Sequence, residues 1–184
     1  MPYTEIDHFI AKMRFRAAYP HLDAGSRVCD LGCGLEMAFL DFAEDRIARG
    51  VGIDDQVENG TKGRWQRIHA DLRGRLPIAD AQFDHVVMLA VFEHLSDPES
   101  VLREAWRILV PGGSLIMTWP AAVVDPILNA LHALHLISDE MESDEHQKRI
   151  PVEGVKRLLE RAGFQEFHHE KFELGLNNLM VATR

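Results

Sequence analysis

A short apolar strand that runs directly into a glycine loop is the feature that most constrains the fold. The stretch "SRVCDLGCG" predicts a strand at 27–31, followed by a loop that contains Gly32 and Gly34. Because glycine has no Cβ, a ligand can approach the backbone of such a loop closely. A loop of this kind, at the carboxyl end of a strand and at the start of a helix, is typical of the ligand site in a doubly wound sheet.

Strand-like and helical segments alternate along the rest of the chain. The apolar patterns predict further strands at 51–55, at 67–72, within 83–95 and at 114–120, and helices at 4–19, 35–50, 97–113, 125–137 and 151–163. This alternation predicts an α/β fold in which helices cover both faces of a mainly parallel sheet. The last two strand-like runs, 164–172 and 176–184, have no helix between them and therefore predict an antiparallel hairpin at one edge.

The composition narrows the class of protein. The 184 residues are the usual length of one domain, and the formal net charge is −9. That charge argues against a dedicated nucleic-acid binder, whose affinity comes from Lys and Arg on phosphates. Cys29 and Cys33 are too few for a structural zinc site, and they predict a reduced protein of the cytoplasm. No apolar run approaches the ~18 residues of a membrane span, so membrane insertion is not expected.

An acidic residue at the end of the second strand indicates the kind of ligand. Asp54 follows Gly32 by 22 positions, and an acid at this point can accept hydrogen bonds from ribose hydroxyls. Together with the glycine loop, it predicts an adenosine-containing cofactor. The full dinucleotide pattern would place a third glycine where Met37 stands, which argues against NAD. A nicotinamide-dependent oxidoreductase therefore remains only as a weaker alternative.

Several segments in register resemble a known family. They are "VCDLGCGLE", "GIDD", "ADLRGRLPIADAQFDHVVMLAVFEHLSDP" and "REAWRILVPGGSLIMTWP", which lie in order between residues 26 and 120. They resemble the successive motifs of class I S-adenosylmethionine-dependent methyltransferases, and are most similar to the methyltransferase type 11 family. The resemblance implies a Rossmann-like, seven-stranded, mostly parallel sheet whose last strand is antiparallel. It also implies S-adenosylmethionine as the cofactor, with S-adenosylhomocysteine as its product.

The resemblance assigns cofactor contacts to the ends of the first four strands. It implies that the methionine part is lined by Asp30, Gly32 and Gly34 and the backbone of Leu89 and Ala90, the ribose is held by Asp54, and the adenine is flanked by Asp55, Asp71 and Leu72. Glu36 stands where the family usually has a small residue, at the predicted start of a helix. We expect it either to act as a first-turn acid or to meet the cofactor's ammonium group.

The same resemblance divides one methyltransferase domain, 1–184, into four parts. These are an N-terminal helix at 1–24, a cofactor-binding core at 25–120, an acceptor-side helix and loop at 121–150, and a last helix with its hairpin at 151–184. The stretch "AVFEHL" replaces the Asn-Pro-Pro-Tyr type motif that marks methylation of base or amide nitrogens in the superfamily. A small organic acceptor is therefore expected, while the sequence gives no oligomeric state.

Methyl transfer needs little catalytic equipment beyond proximity and orientation, because the sulfonium donor is already activated. A general base is needed only when the acceptor must lose a proton. His94, after the fourth strand, and His146, in the acceptor-side loop, are the candidates, although His94 is also compatible with a structural role. Other polar groups are interpreted as ordinary surface: His132 and His135 on one helix face, and the acids of 139–145. A protein that binds the cofactor without catalysis is the alternative function.

Overall fold

An eight-stranded sheet forms the centre of the computed structural model, which describes residues 5–121 and 150–184. In chain order the elements are α1 Glu5–Ala18, β1 Ser26–Leu31, α2 Ala38–Phe42, β2 Ile47–Asp54, β3 Gly60–Lys62, β4 Trp65–His69, β5 Phe83–Leu89, α3 Pro98–Ile108, β6 Leu109–Pro120, α4 Val152–Ala162, β7 Gln165–Phe172 and β8 Asn177–Thr183. Short 3₁₀ turns lie at Tyr19–His21, Phe92–His94 and Glu173–Gly175.

The strands are ordered β3-β4-β2-β1-β5-β6-β8-β7 across the sheet. The run from β4 to β6 is parallel, whereas β8 is antiparallel to both β6 and β7. The predicted C-terminal hairpin is therefore confirmed, with β8 inserted between β6 and β7. Because β1, β2, β4 and β5 are parallel, their carboxyl ends meet at one edge, where ligands of doubly wound sheets bind.

Helices lie on both faces of the sheet, as the alternation of segments predicts. Buried side chains of α3 and α4 belong to one apolar cluster with Val51, Val86 and Leu115. Buried side chains of α1 and α2 belong to a second cluster with Val28, Val87 and Ile116. Since neighbouring residues of a strand point to opposite faces, these two clusters are the two layers of the core.

Within residues 5–121 and 150–184, the sheet has one strand more than the predicted seven. The additional strand, β3, pairs antiparallel with β4, with Gly60 opposite Arg67 and Lys62 opposite Trp65. Gly63, with φ +60°, occupies the tight turn between the two strands. A positive φ is easily reached by glycine, which favours two-residue hairpins of this kind. A three-residue strand has too little periodicity to be predicted from the sequence.

The predicted helix at 35–50 is wrong in its second half. Helix α2 ends at Phe42, and Ile47–Asp54 form β2, so Gly50 lies inside a strand. A Cβ at Gly50 would lie 2.6 Å from Cε3 of Trp65, and one at Gly52 would lie 2.7 Å from Sγ of Cys33. These glycines therefore allow close packing across a strand; they do not end a helix.

Capping residues mark the start of α3 and the end of α4. The Asp97 carboxylate accepts a hydrogen bond from the backbone N–H of Ser100 at 3.2 Å, and Pro98 occupies the first helical position. Helix α3 ends at Ile108, earlier than expected, because β6 already begins at Leu109. Gly163 ends α4 with φ +104°, a conformation that favours glycine.

Candidate cofactor site

The glycine loop after β1 is held against the end of β2. The N–H of Gly32 donates to the carbonyl of Ile53 at 2.8 Å, and the N–H of Gly34 donates to Oδ2 of Asp54 at 2.9 Å. Both glycines have positive φ, +75° and +62°. A Cβ at Gly32 would lie 2.4 Å from Cγ2 of Val91, whereas a Cβ at Gly34 would meet no atom within 4 Å. The lack of a side chain at Gly32 thus lets Val91 pack against the loop, whereas the lack of one at Gly34 leaves open space beside the backbone.

Asp54 connects this loop to the edge where the strands end. Its second oxygen, Oδ1, accepts a hydrogen bond from the N–H of Gln56 at 2.9 Å. The side chain is half-buried and is fixed by these two backbone donors. Because each carboxylate oxygen has two acceptor positions, both oxygens can still accept from a pair of ribose hydroxyls.

Asp30 is a buried acid directly below the loop. It is 3% exposed and lies in β1 between Gly52 of β2 and Val87 of β5. Burial and, to a smaller extent, the negative charge of Asp54 together raise the pKa of its carboxyl to about 7. A cation bound nearby would favour the ionised form, so this position suits a positively charged ligand group.

The end of β5 supplies backbone groups to the same edge. Ala90 has φ +57°, and its N–H donates both to the carbonyl of Thr118 at 3.1 Å and to its Oγ1 at 3.2 Å. The backbone N–H of Ala90 is therefore already bonded within the protein. The backbone carbonyl of Ala90 is the group that can accept a hydrogen bond from a ligand. Leu89 is half-buried and packs against the second apolar cluster.

The acids predicted to flank an adenine lie on the loops after β2 and β4. Asp55 and Asp71 are exposed, while Leu72 is half-buried against the first apolar cluster. Arg73 binds the Asp71 carboxylate with Nη2 to Oδ2 at 2.6 Å and Nε to Oδ1 at 2.9 Å. Hydrogen bonds from the Arg73 side chain and backbone lower the pKa of Asp71 to about 2. The sequence motifs assign no role to Arg73. It follows Asp71 by two residues, a spacing at which an arginine can form a local ion pair with the acid.

Glu36 lies outside α2, which begins at Ala38, so the expected first-turn position is wrong. Its side chain is 81% exposed, and its Oε2 accepts from Nζ of Lys62 at 2.9 Å. The same ammonium contacts the Glu36 carbonyl and lies 3.5 Å from Oδ2 of Asp41. Strand β3 thereby attaches to the glycine loop through Lys62, a residue that the motifs do not identify. A contact between Glu36 and a cofactor ammonium stays a prediction.

Of the two candidate bases, only His94 lies among the residues that the structure describes. His94 is an exposed residue of the 3₁₀ turn Phe92–His94, which follows β5. Its backbone N–H donates to the carbonyl of Val91 at 3.0 Å. His146 lies outside the described residues, as do His132, His135 and the acids of 139–145. In residues 5–121 and 150–184, no group of three or more His, Cys, Asp and Glu side chains could hold a metal ion.

No helix within the described parts of the chain has the length and apolar character that crossing a membrane requires. The two cysteines, Cys29 and Cys33, are both free thiols.

The sheet order, the glycine loop and the acid at the end of β2 define the class of protein. They are the arrangement of a class I S-adenosylmethionine-dependent methyltransferase, for which the described residues offer a fitting cofactor site. The open space at Gly34 and the free acceptor positions of Asp54 carry that fit. The chain belongs to this family, since a family model described as a methyltransferase domain matches residues 3–169. The narrower assignment to the type 11 family stays a prediction.

Named proteins of similar sequence and structure agree with the family. A probable S-adenosylmethionine-dependent methyltransferase of Mycolicibacterium smegmatis is 31% identical over an alignment of 156 residues, and the match covers 79% of this chain and 60% of that protein. A ubiquinone biosynthesis O-methyltransferase of Pseudomonas fluorescens is 32% identical over 130 residues, covering 62% of this chain and 54% of that enzyme. The chain thus spans little more than half the length of these relatives.

Among solved structures, a SAM-dependent methyltransferase from Archaeoglobus fulgidus superposes with a TM-score of 0.73. The match covers 96% of this chain and 94% of that one, at 18% sequence identity. At this identity the likeness concerns the fold, and it agrees with the predicted doubly wound α/β architecture.

Proposed function

We propose that this chain transfers a methyl group from S-adenosylmethionine to a small organic acceptor, a reaction of the EC 2.1.1 type. The observation that carries the proposal is the junction of the Gly32–Gly34 loop with Asp54 at the carboxyl edge. It offers open backbone beside a fixed carboxylate, as a nucleoside with an attached amino acid requires. The cofactor supplies an activated methyl group when bound, so the chain's task is mainly to bind and orient.

Each part of the site has a proposed task. Asp54 binds the ribose hydroxyls, and the loop at Gly34 lets the ligand approach the backbone. Asp30 favours the cationic methionine end through its negative charge, and the carbonyl of Ala90 accepts from the ammonium group. Asp55, Asp71 and Leu72 border the adenine. Three N–H groups of Arg73 already donate to the Asp71 carboxylate, so at most one of its about four acceptor positions is open to the adenine amine.

His94 is proposed as the base for acceptors that must lose a proton. It lies in the 3₁₀ turn that follows β5, beside the assigned methionine end, and it is an exposed residue. His146 is kept as a proposal for the same role on the acceptor side. A cytoplasmic location is also proposed, supported by the two free thiols.

Calorimetric titration with S-adenosylhomocysteine and with NAD tests the proposed cofactor. We expect saturable binding of the first and none of the second, since the buried Met37 side chain occupies the place of the third dinucleotide glycine. Methylation of a small-molecule extract with radiolabelled S-adenosylmethionine then tests catalysis. Cofactor binding without any methylated product would favour the non-catalytic alternative, and absence of cofactor binding would refute the proposed function.

A further inference from the structure

Three buried polar atoms without hydrogen-bond partners lie on elements that meet at the start of β8. They are Nε of Arg14 in α1, Oε1 of Glu173 in the turn after β7, and Oδ1 of Asn177, the first residue of β8. Asn177 is only 5% exposed, and its Nδ2 donates to the other oxygen of Glu173, Oε2. The amide is therefore oriented, and its oxygen is left without a donor among the described residues.

The cluster lies at the same edge of the sheet as the proposed cofactor site. Asn177 pairs with Pro120, the last residue of β6, and β6 lies beside β5, which ends at Leu89. Two strand spacings of about 4.8 Å separate β5 from β8, so Asn177 lies roughly 10 Å to the side of the assigned methionine end. A molecule that contacts both this cluster and the methionine end would therefore span roughly 10 Å.

The turn that carries Glu173 is held in an unusual backbone conformation. Glu173 and Leu174 have φ of +51° and +57°, although neither is glycine, and Gly175 follows with φ +87°. Backbone strain of this kind persists where surrounding structure fixes it, and it concentrates at functional sites. The turn directs Glu173 toward Asn177 and leaves the apolar side chain of Leu174 fully exposed beside it.

The charges in the cluster balance one another. Arg14 acts on Glu173 electrostatically, but no direct ion pair joins them in the described part of the chain. Burial is the larger influence and raises the pKa of the Glu173 carboxyl. A charged ligand group would disturb this balance, whereas a neutral group would keep it.

We propose that Arg14, Glu173 and Asn177 form the anchor for the methyl acceptor. The unpartnered atoms are two acceptors and one donor, so the complementary group is neutral and offers two donors and one acceptor. A primary carboxamide or two neighbouring hydroxyls meet this requirement, and Leu174 adds apolar contact for the rest of the molecule. The inference rests on the proposed methyl transfer and adds the chemical class of the acceptor.

Four single-ring probes on protein saturated with S-adenosylhomocysteine test the anchor. The probes are benzamide, 1,2-dihydroxybenzene, benzoate and benzylammonium, which share a ring and differ in their polar group. Saturation-transfer NMR titrations give their relative affinities. We expect benzamide or the dihydroxybenzene to bind at least tenfold more tightly than both charged probes. Equal or tighter binding of a charged probe would overturn the inference.

Variants separate this anchor from general effects on the fold. Arg14→Met and Asn177→Leu should weaken binding of the preferred probe at least tenfold, with no change in S-adenosylhomocysteine affinity. Asn178→Leu is the matched control, because the neighbouring asparagine points to the opposite face and is bonded to His169 at 3.0 Å. Arg14→Met, at a half-buried position of α1, keeps the test open if Asn177→Leu does not fold.

The outcomes distinguish the two proposals. If S-adenosylhomocysteine binds but no probe does, or if both variants bind the probe like the parent protein, the anchor is refuted and the proposed function stands. If S-adenosylhomocysteine itself does not bind, the proposed function fails, and the anchor fails with it.

Discussion

The backbone N–H of Gly34 donates to Oδ2 of Asp54 at 2.9 Å, so one carboxylate both shapes the glycine loop and faces the ligand edge. The loop after β1 and the end of β2 therefore form one unit. A change at Asp54 should affect the ligand directly and also through the loop.

Asp54→Asn should weaken binding of S-adenosylhomocysteine by roughly 10- to 100-fold. The asparagine retains one acceptor oxygen but loses the charge-assisted bonds to ribose hydroxyls, which are worth about 1.5–3 kcal/mol each. Calorimetry at constant pH gives the affinity. Glu58→Gln serves as the control: Glu58 is exposed in the loop between β2 and β3, and its change should leave the S-adenosylhomocysteine affinity unaltered. Equal affinities for Asp54→Asn and the control would remove Asp54 from the site.

Cofactor affinity should depend on pH through Asp30. Its carboxyl has a pKa of about 7 in the fold, and only the ionised form attracts the cationic methionine end. We expect the affinity for S-adenosylmethionine to rise with pH between about 6 and 8 and then to level off. Asp30→Asn should remove this rise. A pH profile of Asp30→Asn that matched the parent protein would contradict the assignment.

The same residue predicts an effect on stability. Because the folded pKa is raised, the unfolded chain loses the Asp30 proton at a lower pH than the folded chain does. The contribution of Asp30 to the free energy of unfolding is therefore largest below its ordinary pKa and falls as pH rises through about 7. Asp30→Asn should consequently raise Tm at pH 8 relative to the parent protein, and this gain should shrink toward pH 4.

The two loop glycines should respond differently to alanine. At Gly32 the new Cβ would meet Val91 at 2.4 Å, so Gly32→Ala should lower Tm strongly. Gly34→Ala has room for its Cβ and should cost only the strain of a positive φ, about 1 kcal/mol. Its Cβ would enter the space assigned to the ligand, so cofactor affinity should fall by more than stability does. Thermal unfolding with and without S-adenosylhomocysteine measures both effects, and equal losses of Tm would contradict this division.

His85 should make stability depend on mildly acidic pH. Its Nε2 accepts from the N–H of Asp23 at 3.1 Å, so Nδ1 is the protonated nitrogen and faces Oγ of Ser114 at 2.8 Å. Burial lowers the pKa of this imidazole, while Asp23 and Asp84 raise it to a smaller extent. The folded pKa therefore lies below the unfolded value of 6.5, and stability is lost as pH falls below about 6.5.

Unfolding by urea between pH 5 and 7.5 checks the role of His85. His85→Gln should remove the part of the stability that rises with pH, so the slope of unfolding free energy against pH should become more negative than in the parent protein, where Asp30 acts in the opposite direction. Because His85 lies near the amino end of β5, away from the ligand edge, the variant should retain its cofactor affinity at pH 7.5. An unchanged slope would place the pH dependence on other groups.

The parallel sheet, the C-terminal hairpin, the start of α3 and the end of α4 could be predicted because their signals are local. Asp97 precedes its own helix, and Gly163 ends its own helix. The length of α2 could not be predicted, since the conformation at Gly50 depends on packing against Trp65 from another strand. When the spatial neighbours of Gly50 are unknown, a glycine between two apolar segments is as compatible with the end of a helix as with the interior of a strand.

The candidate site likewise contains residues whose positions the sequence predicts and contacts that it does not predict. That Asp30, Gly32, Gly34 and Asp54 lie close together could be predicted, because the order of motifs fixes which strand ends meet. The partners of Glu36 and Asp71 could not, because Lys62 comes from an unpredicted hairpin and Arg73 from a loop conformation. Such contacts depend on where exposed side chains lie in the folded chain, which sequence periodicity does not specify.

The short strand β3 also limits how the sheet can associate. An open strand edge offers unpaired backbone groups to other chains, and proteins restrict it with short strands, charges and bulges. At one edge, β3 offers three residues, one of which is Lys62. At the other edge, β7 is longer but irregular near Glu166, which has φ +48°. Both borders of the sheet thereby resist strand addition, so neither favours edge-to-edge aggregation.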